Sequence, residues 1–250
     1  MIKPKILLSG AIKFEDIKIK HVSPRKNIPH DIQVECRNLW NEIYEKAKSE
    51  KRLIYDGQSY SLENFYSQEN SVVLEISRMR YSMKKPLNIL ARDDDNFPPQ
   101  ACAKTLAIAG PIRTSDGYYA FGHKSGKTMN LVDIDLIGGI IEISDLHSGD
   151  DLLKSFLIEI KEETNLAADT ISFIELYGII LSGFGNIILF THTKLNISKN
   201  EVQKYFNQKK DPELDKLIFI KKDNLAEFLK SMGDYKAIIA EDYSRHYRNK

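Results

Sequence analysis

Residues 138–166, GGIIEISDLHSGDDLLKSFLIEIKEETNL, constrain the fold of this chain more than any other stretch. They divide into a Gly-Gly turn, a polar loop, a short helix and a stop. Ser148 and Asp151 form an S-x-x-D capping box, in which each residue satisfies an orphan donor of the first helical turn. Leu153, Phe156, Leu157 and Ile160 recur at helical spacing and predict the buried stripe. At about 100° per residue, Glu159, Glu162 and Glu163 fall within an arc of roughly 100° on another side. Asn165, which tolerates the left-handed conformation, predicts the C-terminal stop.

Three carboxylates at i, i+3 and i+4 repel one another and weaken a helix by a few tenths of a kcal/mol per pair. On its own, E-x-x-E-E fits a solvated Glu/Lys face better than a metal site. A hard divalent cation removes the repulsion, because Mg²⁺ takes carboxylate oxygens together with those of a substrate phosphate. An apolar run over 131–137 precedes the Gly-Gly pair. The order is therefore strand, turn, loop, capped acidic helix, stop.

These residues resemble the Nudix box, G-x5-E-x7-R-E-U-x-E-E-x-G-U with U apolar. Aligned on the acidic pair, Glu159, Ile160, Glu162, Glu163 and Leu166 match the family's E, U, E, E and U. Ile158 stands in place of the family's Arg, Asn165 in place of Gly and Asp150 in place of the first Glu. About five extra residues separate Gly139 from Asp150. A narrower likeness accommodates these departures. Nudix proteins that hydrolyse UDP-glucose and UDP-galactose carry an insertion after Gly-Gly, lack the box Arg and end the helix in E-V-N-L or similar, as E-T-N-L does here. They also have an N-terminal extension with a Trp-bearing helix and a strand pair, comparable to Leu39-Trp40, the 53–57 stretch LIYDG, and Arg80-Tyr81.

The resemblance implies an α/β (α+β) fold: a Nudix α/β/α sandwich over residues 101–250, preceded by an N-terminal α+β extension over residues 1–100. The hydrophobic fraction of 42% suffices for a packed core. With 36 basic and 35 acidic residues, nothing marks a nucleic-acid binder. Cys36 and Cys102 form no ligand cluster and read as buried thiols of a reducing compartment. Neither a signal peptide nor a membrane-spanning run is present, so a cytoplasmic protein is expected.

In the extension, the pattern predicts strands over 6–8 and 14–22, a helix over 31–51, a strand over 53–55 with an Asp56-Gly57 turn, and extended pieces over 60–65 and 71–80. A connection is expected over 86–100, where Asp93, Asp94 and Asp95 read as solvated acids rather than metal ligands. Pro98-Pro99 marks the boundary. In the core, a strand over 103–109, a Thr114–Gly117 turn and a strand over 118–123 form a hairpin. GHKSGKT at 122–128 has three residues between its glycines where a P-loop has four, and a strand or coil over 129–136 follows instead of a helix. Strands over 171–181 and 186–195, a Ser198-capped helix, a strand over 217–220 and helices over 224–232 and 235–247 complete the chain.

The resemblance implies hydrolysis of the diphosphate of a nucleoside-diphosphate sugar to a nucleoside monophosphate and a sugar 1-phosphate. Glu159, Glu162 and Glu163 are the expected metal ligands and catalytic groups, with Mg²⁺ or Mn²⁺ as the cofactor. Arg80, Tyr81, Lys124, Gly138 and Gly139 are the expected substrate contacts, and Glu213 is a candidate late-loop acid. The alternatives are a Nudix hydrolase of ADP-ribose, a dinucleotide or another diphosphate; a nucleotide-binding module without catalysis, motivated by Ile158; and an interaction protein that recruits a partner through its extension. No residue outside the box identifies the base or fixes the oligomeric state.

Overall fold

In the computed structural model, residues 3–24, 28–52, 54–94, 96–98, 101–125, 133–142 and 145–247 are described. Strand β11 (Ile187–Leu195) is the spine of a nine-stranded mixed sheet. Along one edge it pairs antiparallel with β10 (Ile171–Leu181), which in turn carries β1 (Lys5–Ile12). Along the other edge it pairs in parallel first with β5 (Leu106–Gly110) and then with β6 (Ile112–Arg113). Beyond β6 lie β7 (Tyr118–Lys124) and β12 (Leu214–Lys221), with β8 (Ile134–Asp135) also on β7. Strand β9 (Ile137–Ile140) pairs with β5. A second sheet holds β2 (Ile17–His21), β4 (Ser71–Arg80) and β3 (Gln58–Gln68), with β4 in the middle.

Because side chains alternate along a strand, β11 feeds two cores. Ile187 and Leu189 pack with Phe156 and Ile160 of helix α3 (Gly149–Thr164) and with the β2–β4–β3 sheet. Ile188 and Phe190 pack with Leu229 of α5 (Leu225–Ser231) and with Ile239 and Tyr243 of α6 (Asp234–Tyr247). The result is a mixed α+β fold with helices on both faces of the main sheet, which is the expected α/β/α layering. A third cluster joins α1 (His30–Ser49) to α2 (Tyr81–Asp93) through Ile32, Cys36, Leu87 and Ala91. Helix α4 (Lys199–Phe206) begins at Ser198, whose N–H donates to Glu201 at 2.8 Å. Among the described residues, no helix is long and apolar enough to cross a membrane.

The sequence pattern and the structure differ in several places. The expected 103–109/118–123 hairpin does not form, because β5 pairs with β9 and β11 while β7 takes β6, and Phe14–Asp16 is a 3-10 turn ahead of β2. The Gly-Gly pair is not a turn: Gly138 and Gly139 lie inside β9, opposite Ala109 and Ile108. Glycine is required there by close approach, since Gly138 has φ +138° and a Cβ on it would strike the Ile108 carbonyl. The stretch expected to be connection is largely helix α2, with Pro86 inside it. Proline there removes a backbone donor, and burial of Pro86, Leu87 and Ala91 outweighs that penalty. Residues 54–57 are not strand; the expectations for Leu53, Asp95, Pro99 and residues 126–132 fall outside the described residues. Finally, the buried face of α3 runs through Leu152, Phe156, Ile160 and Glu163, while Leu153 and Leu157 are half-buried. The stripe is rotated by one position, and that rotation takes Glu163 into the interior.

The ends of α3 form as its local sequence dictates. Ser148 Oγ accepts from the Asp151 N–H at 3.3 Å, and Asp151 accepts from the Ser148 N–H at 3.0 Å. Asn165 stops the helix at φ +60°. Losing an N-cap side chain costs about 1 kcal/mol, so Ser148→Ala is expected to lower the melting temperature by roughly 2–4 °C in calorimetry.

Candidate active site

The C-terminal half of α3 lies against β9 and the end of β7. Glu163 is 1% exposed. Its Oε1 accepts from the Lys124 ammonium at 2.7 Å and its Oε2 from the Gly138 N–H at 2.8 Å. Lys124 also donates to Glu213 Oε1 at 2.8 Å, in the loop before β12. That loop is fixed in turn, because the Ser125 N–H donates to the Glu213 carbonyl and the Glu213 N–H to Asp211 Oδ1, both at 2.7 Å. Lys124, Glu163, Gly138 and Glu213 thereby join three elements and a loop.

Glu159 lies one turn earlier on the same side. A Cβ at Gly139 would sit 2.5 Å from Glu159 Oε2, so glycine at this position gives the carboxyl room to lie on the strand. Glu162 is exposed. Glu142, two residues past β9, is a fifth acid in the group, and it accepts a hydrogen bond from the Tyr55 hydroxyl. Ile158 has no place in this network and is 40% exposed.

The electrostatics follow from this crowding. Burial pushes Glu159 up to about 8, reinforced by Glu163, Glu162, Glu213 and Glu142. Burial lifts Glu163 to about 7 against the pull of Lys124 and the Gly138 N–H. Glu142 is raised by burial, with its hydrogen bond from Tyr55 and the charge of Lys84 opposing. For Lys124, burial disfavours the charge, but Glu163 and Glu213 outweigh it and hold the ammonium protonated well above its ordinary value. Lys84, almost wholly buried, is pushed down to about 7 by burial and by Lys85, with Glu142 opposing.

The other residues singled out in the sequence have partners of their own. Arg80 pairs with Asp56 at 2.9 Å. The Tyr81 ring packs edge-on against Trp40 at 5.8 Å, with the Lys84 ammonium 5.2 Å from its centroid. Asp93 is held by Arg92, and Asp94 accepts the Asn96 N–H. Sequence reasoning missed Glu142, Tyr55 and Lys84. Glu142 had a signal, as the first acid after the Gly-Gly strand. Tyr55 had none, because its Asp56-Gly57 neighbours read as an ordinary hairpin turn. Two cavities of about 410 Å³ lie elsewhere, one beside His21, Arg78 and His147 and the other beside Tyr119, Ser244 and Tyr247.

The donor set suits a hard divalent cation in its chemistry: carboxylate oxygens in excess of the basic groups. As arranged here, no three acidic, histidine or cysteine side chains among the described residues close on one point. The Lys124 ammonium takes up the charge of Glu163 and Glu213 instead.

No family model and no curated protein matches the chain. Among solved structures, it is similar to DR0079 from Deinococcus radiodurans at 15% identity, covering 57% of this chain and 82% of that one, with a TM-score of 0.39. It is similar to Tm1382, provisionally designated a Nudix hydrolase, at 12% identity over 81% and 96% of the two chains, with a TM-score of 0.42. A MutT protein from Methanosarcina mazei Go1 is 14% identical over 58% and 95%, with a TM-score of 0.36.

A carboxyl raised by burial binds its proton more tightly folded than unfolded, so it favours unfolding as pH climbs past the ordinary value. For Glu159 the cost is absent below about 4.5, grows with pH and is complete above about 8. In chelator, Glu159→Gln is therefore expected to raise the melting temperature at pH 8.5, by at least about 2 °C, and to leave it unchanged at pH 4.

Proposed function

We propose that this chain is a Nudix-type pyrophosphohydrolase whose substrate is a nucleoside-diphosphate sugar, UDP-glucose or UDP-galactose in the first instance. The observation that carries the reading is the crowding of Glu142, Glu163 and Glu213 around Glu159, with Lys124 bridging Glu163 and Glu213, on and beside a capped helix that follows a Gly-Gly strand. Residues 101–250 would form the catalytic domain and residues 1–100 an extension to it. The reading places the protein in the cytoplasm, in keeping with the free, buried Cys36 and Cys102. It needs neither nucleic acid nor a membrane as partner.

Glu159, Glu162 and Glu163 would hold Mg²⁺ or Mn²⁺. When bound, such an ion neutralises diphosphate charge and acidifies water. Lys124 and the Gly138 N–H fix both oxygens of Glu163, so its carboxylate is oriented before substrate arrives. Glu213 or Glu162 takes the proton of the attacking water. A new P–O bond to that water forms as the bridging P–O bond breaks, and the products are UMP and a sugar 1-phosphate.

A second reading, a nucleotide-binding module without turnover, is favoured by one observation: both oxygens of Glu163 are already hydrogen-bonded, and Ile158 adds no charge beside them. It gives binding of UDP-glucose with the ligand left intact. A different diphosphate substrate, such as ADP-ribose or a dinucleotide, is separated by a substrate panel.

The test is incubation of the purified protein with UDP-glucose and Mg²⁺, followed by chromatographic separation of the nucleotides. UMP is expected, and Glu163→Gln is expected to lower turnover at least about tenfold, a barrier change of roughly 1.4 kcal/mol. Unchanged turnover in the folded variant would contradict the role given to Glu163.

A further inference from the structure

Tyr55 presents a side chain that is 63% exposed, yet it is held from three directions. Its hydroxyl donates to Glu142. Its ring edge packs over Gly57, where a Cβ would come within 2.8 Å of Tyr55 Cε2. The loop that carries it is bonded to the start of α2. Asp56 accepts from the Ser82 N–H at 2.8 Å and from Arg80 at 2.9 Å, and the Tyr81 N–H donates to the Gly57 carbonyl at 2.9 Å.

Single exposed tyrosines are ordinary on protein surfaces. This one has given up its rotational freedom without gaining burial, which is the signature of a preorganised contact surface. Its position is equally specific. Its ring and Glu142 both lie against Gly57, and its hydroxyl feels the charges of Glu159 and Glu213 as well as Glu142, at the rim of the carboxylate cluster.

We propose that Tyr55 is a stacking platform for the nucleobase of a nucleotide whose phosphates lie over the carboxylate cluster, and that Glu142 positions its ring. The assignment deepens the pyrophosphohydrolase reading and rests on it. A base fits better than a sugar. With its hydroxyl committed to Glu142, the ring offers an open π face and no free donor, whereas a pyranose presents a puckered face edged with hydroxyls that need partners. The platform also gives the N-terminal residues a role in the site, since α2 and the 54–57 loop deliver one of its walls.

The test is calorimetric binding of UMP, AMP, glucose 1-phosphate and methylene diphosphonate, all in Mg²⁺, to the wild type, Tyr55→Ala and Tyr55→Phe. Loss of base stacking is expected to weaken UMP and AMP about tenfold in Tyr55→Ala. Methylene diphosphonate should bind unchanged, and Tyr55→Phe, which keeps the ring but loses the bond to Glu142, should fall between the wild type and Tyr55→Ala; Tyr55→Phe equal to wild type would remove the positioning role of Glu142. Equal affinities in wild type and Tyr55→Ala, a matching loss for methylene diphosphonate, a loss confined to glucose 1-phosphate, or no nucleotide binding by wild type would each overturn the platform. UDP-glucose hydrolysis assayed in parallel separates the two claims. Turnover with nucleotide binding indifferent to Tyr55 removes the platform and leaves the hydrolase. Tyr55-dependent binding without turnover of any nucleotide diphosphate removes the hydrolase and leaves a nucleotide-binding site.

Discussion

The buried pair of Lys124 and Glu163 is the interaction on which the arrangement of this molecule depends. Their side chains are 7% and 2% exposed, and they come from elements 39 residues apart. Taking both charges out of water is costly, and their attraction offsets that cost only when the remaining donors and acceptors are satisfied. Further bonds support it here: Glu163 also accepts from the Gly138 N–H, and Lys124 also donates to Glu213. The pair fixes where α3 sits along β9 and where the loop before β12 closes.

Local signals carried the helix, and non-local ones built the site. The Ser148–Asp151 box and the Asn165 stop were legible because each acts within a few residues of itself. The depth of Glu163 was not, since Leu152 and Leu153 are equally apolar and only packing against the sheet selects Leu152 for the core. Gly138 and Gly139 were legible as required glycines but not for their reason. Composition alone suggests a turn, whereas the crowding by Ile108 and Glu159 comes from other elements. Helix α2 was hidden by Pro86, whose unfavourable propensity is overridden by burial against α1. Arg80 and Tyr81 were expected as substrate contacts from the resemblance. That Arg80 would anchor the Tyr55 loop through Asp56 depends on the β3–β4 pairing and could not be read from spacing.

The N-terminal residues enter the structure in two ways. Strand β1 lengthens the main sheet through β10, and the β2–β4–β3 sheet covers α3 and contributes Tyr60, Leu74 and Ile76 to the same core. Isolated bridges, Lys18 to Ser148 and Ser61 to Thr105, stitch that sheet to the start of α3 and to the approach to β5. The acidic helix is thus clamped on several sides, which lets it hold carboxylates whose mutual repulsion would loosen a free helix. A site of this kind stores unfavourable electrostatics.

The proposed function requires that Glu159, Glu162 and Glu163 together bind a divalent cation. Calorimetric titration of Mn²⁺ into the metal-free protein, and into folded Glu159→Gln beside it, tests that claim most directly. Saturable binding by the wild type that is weakened at least about tenfold by the substitution is the result the account requires, equivalent to about 1.4 kcal/mol of lost binding free energy. Absence of binding by the wild type, or equal binding by the two proteins, would contradict it.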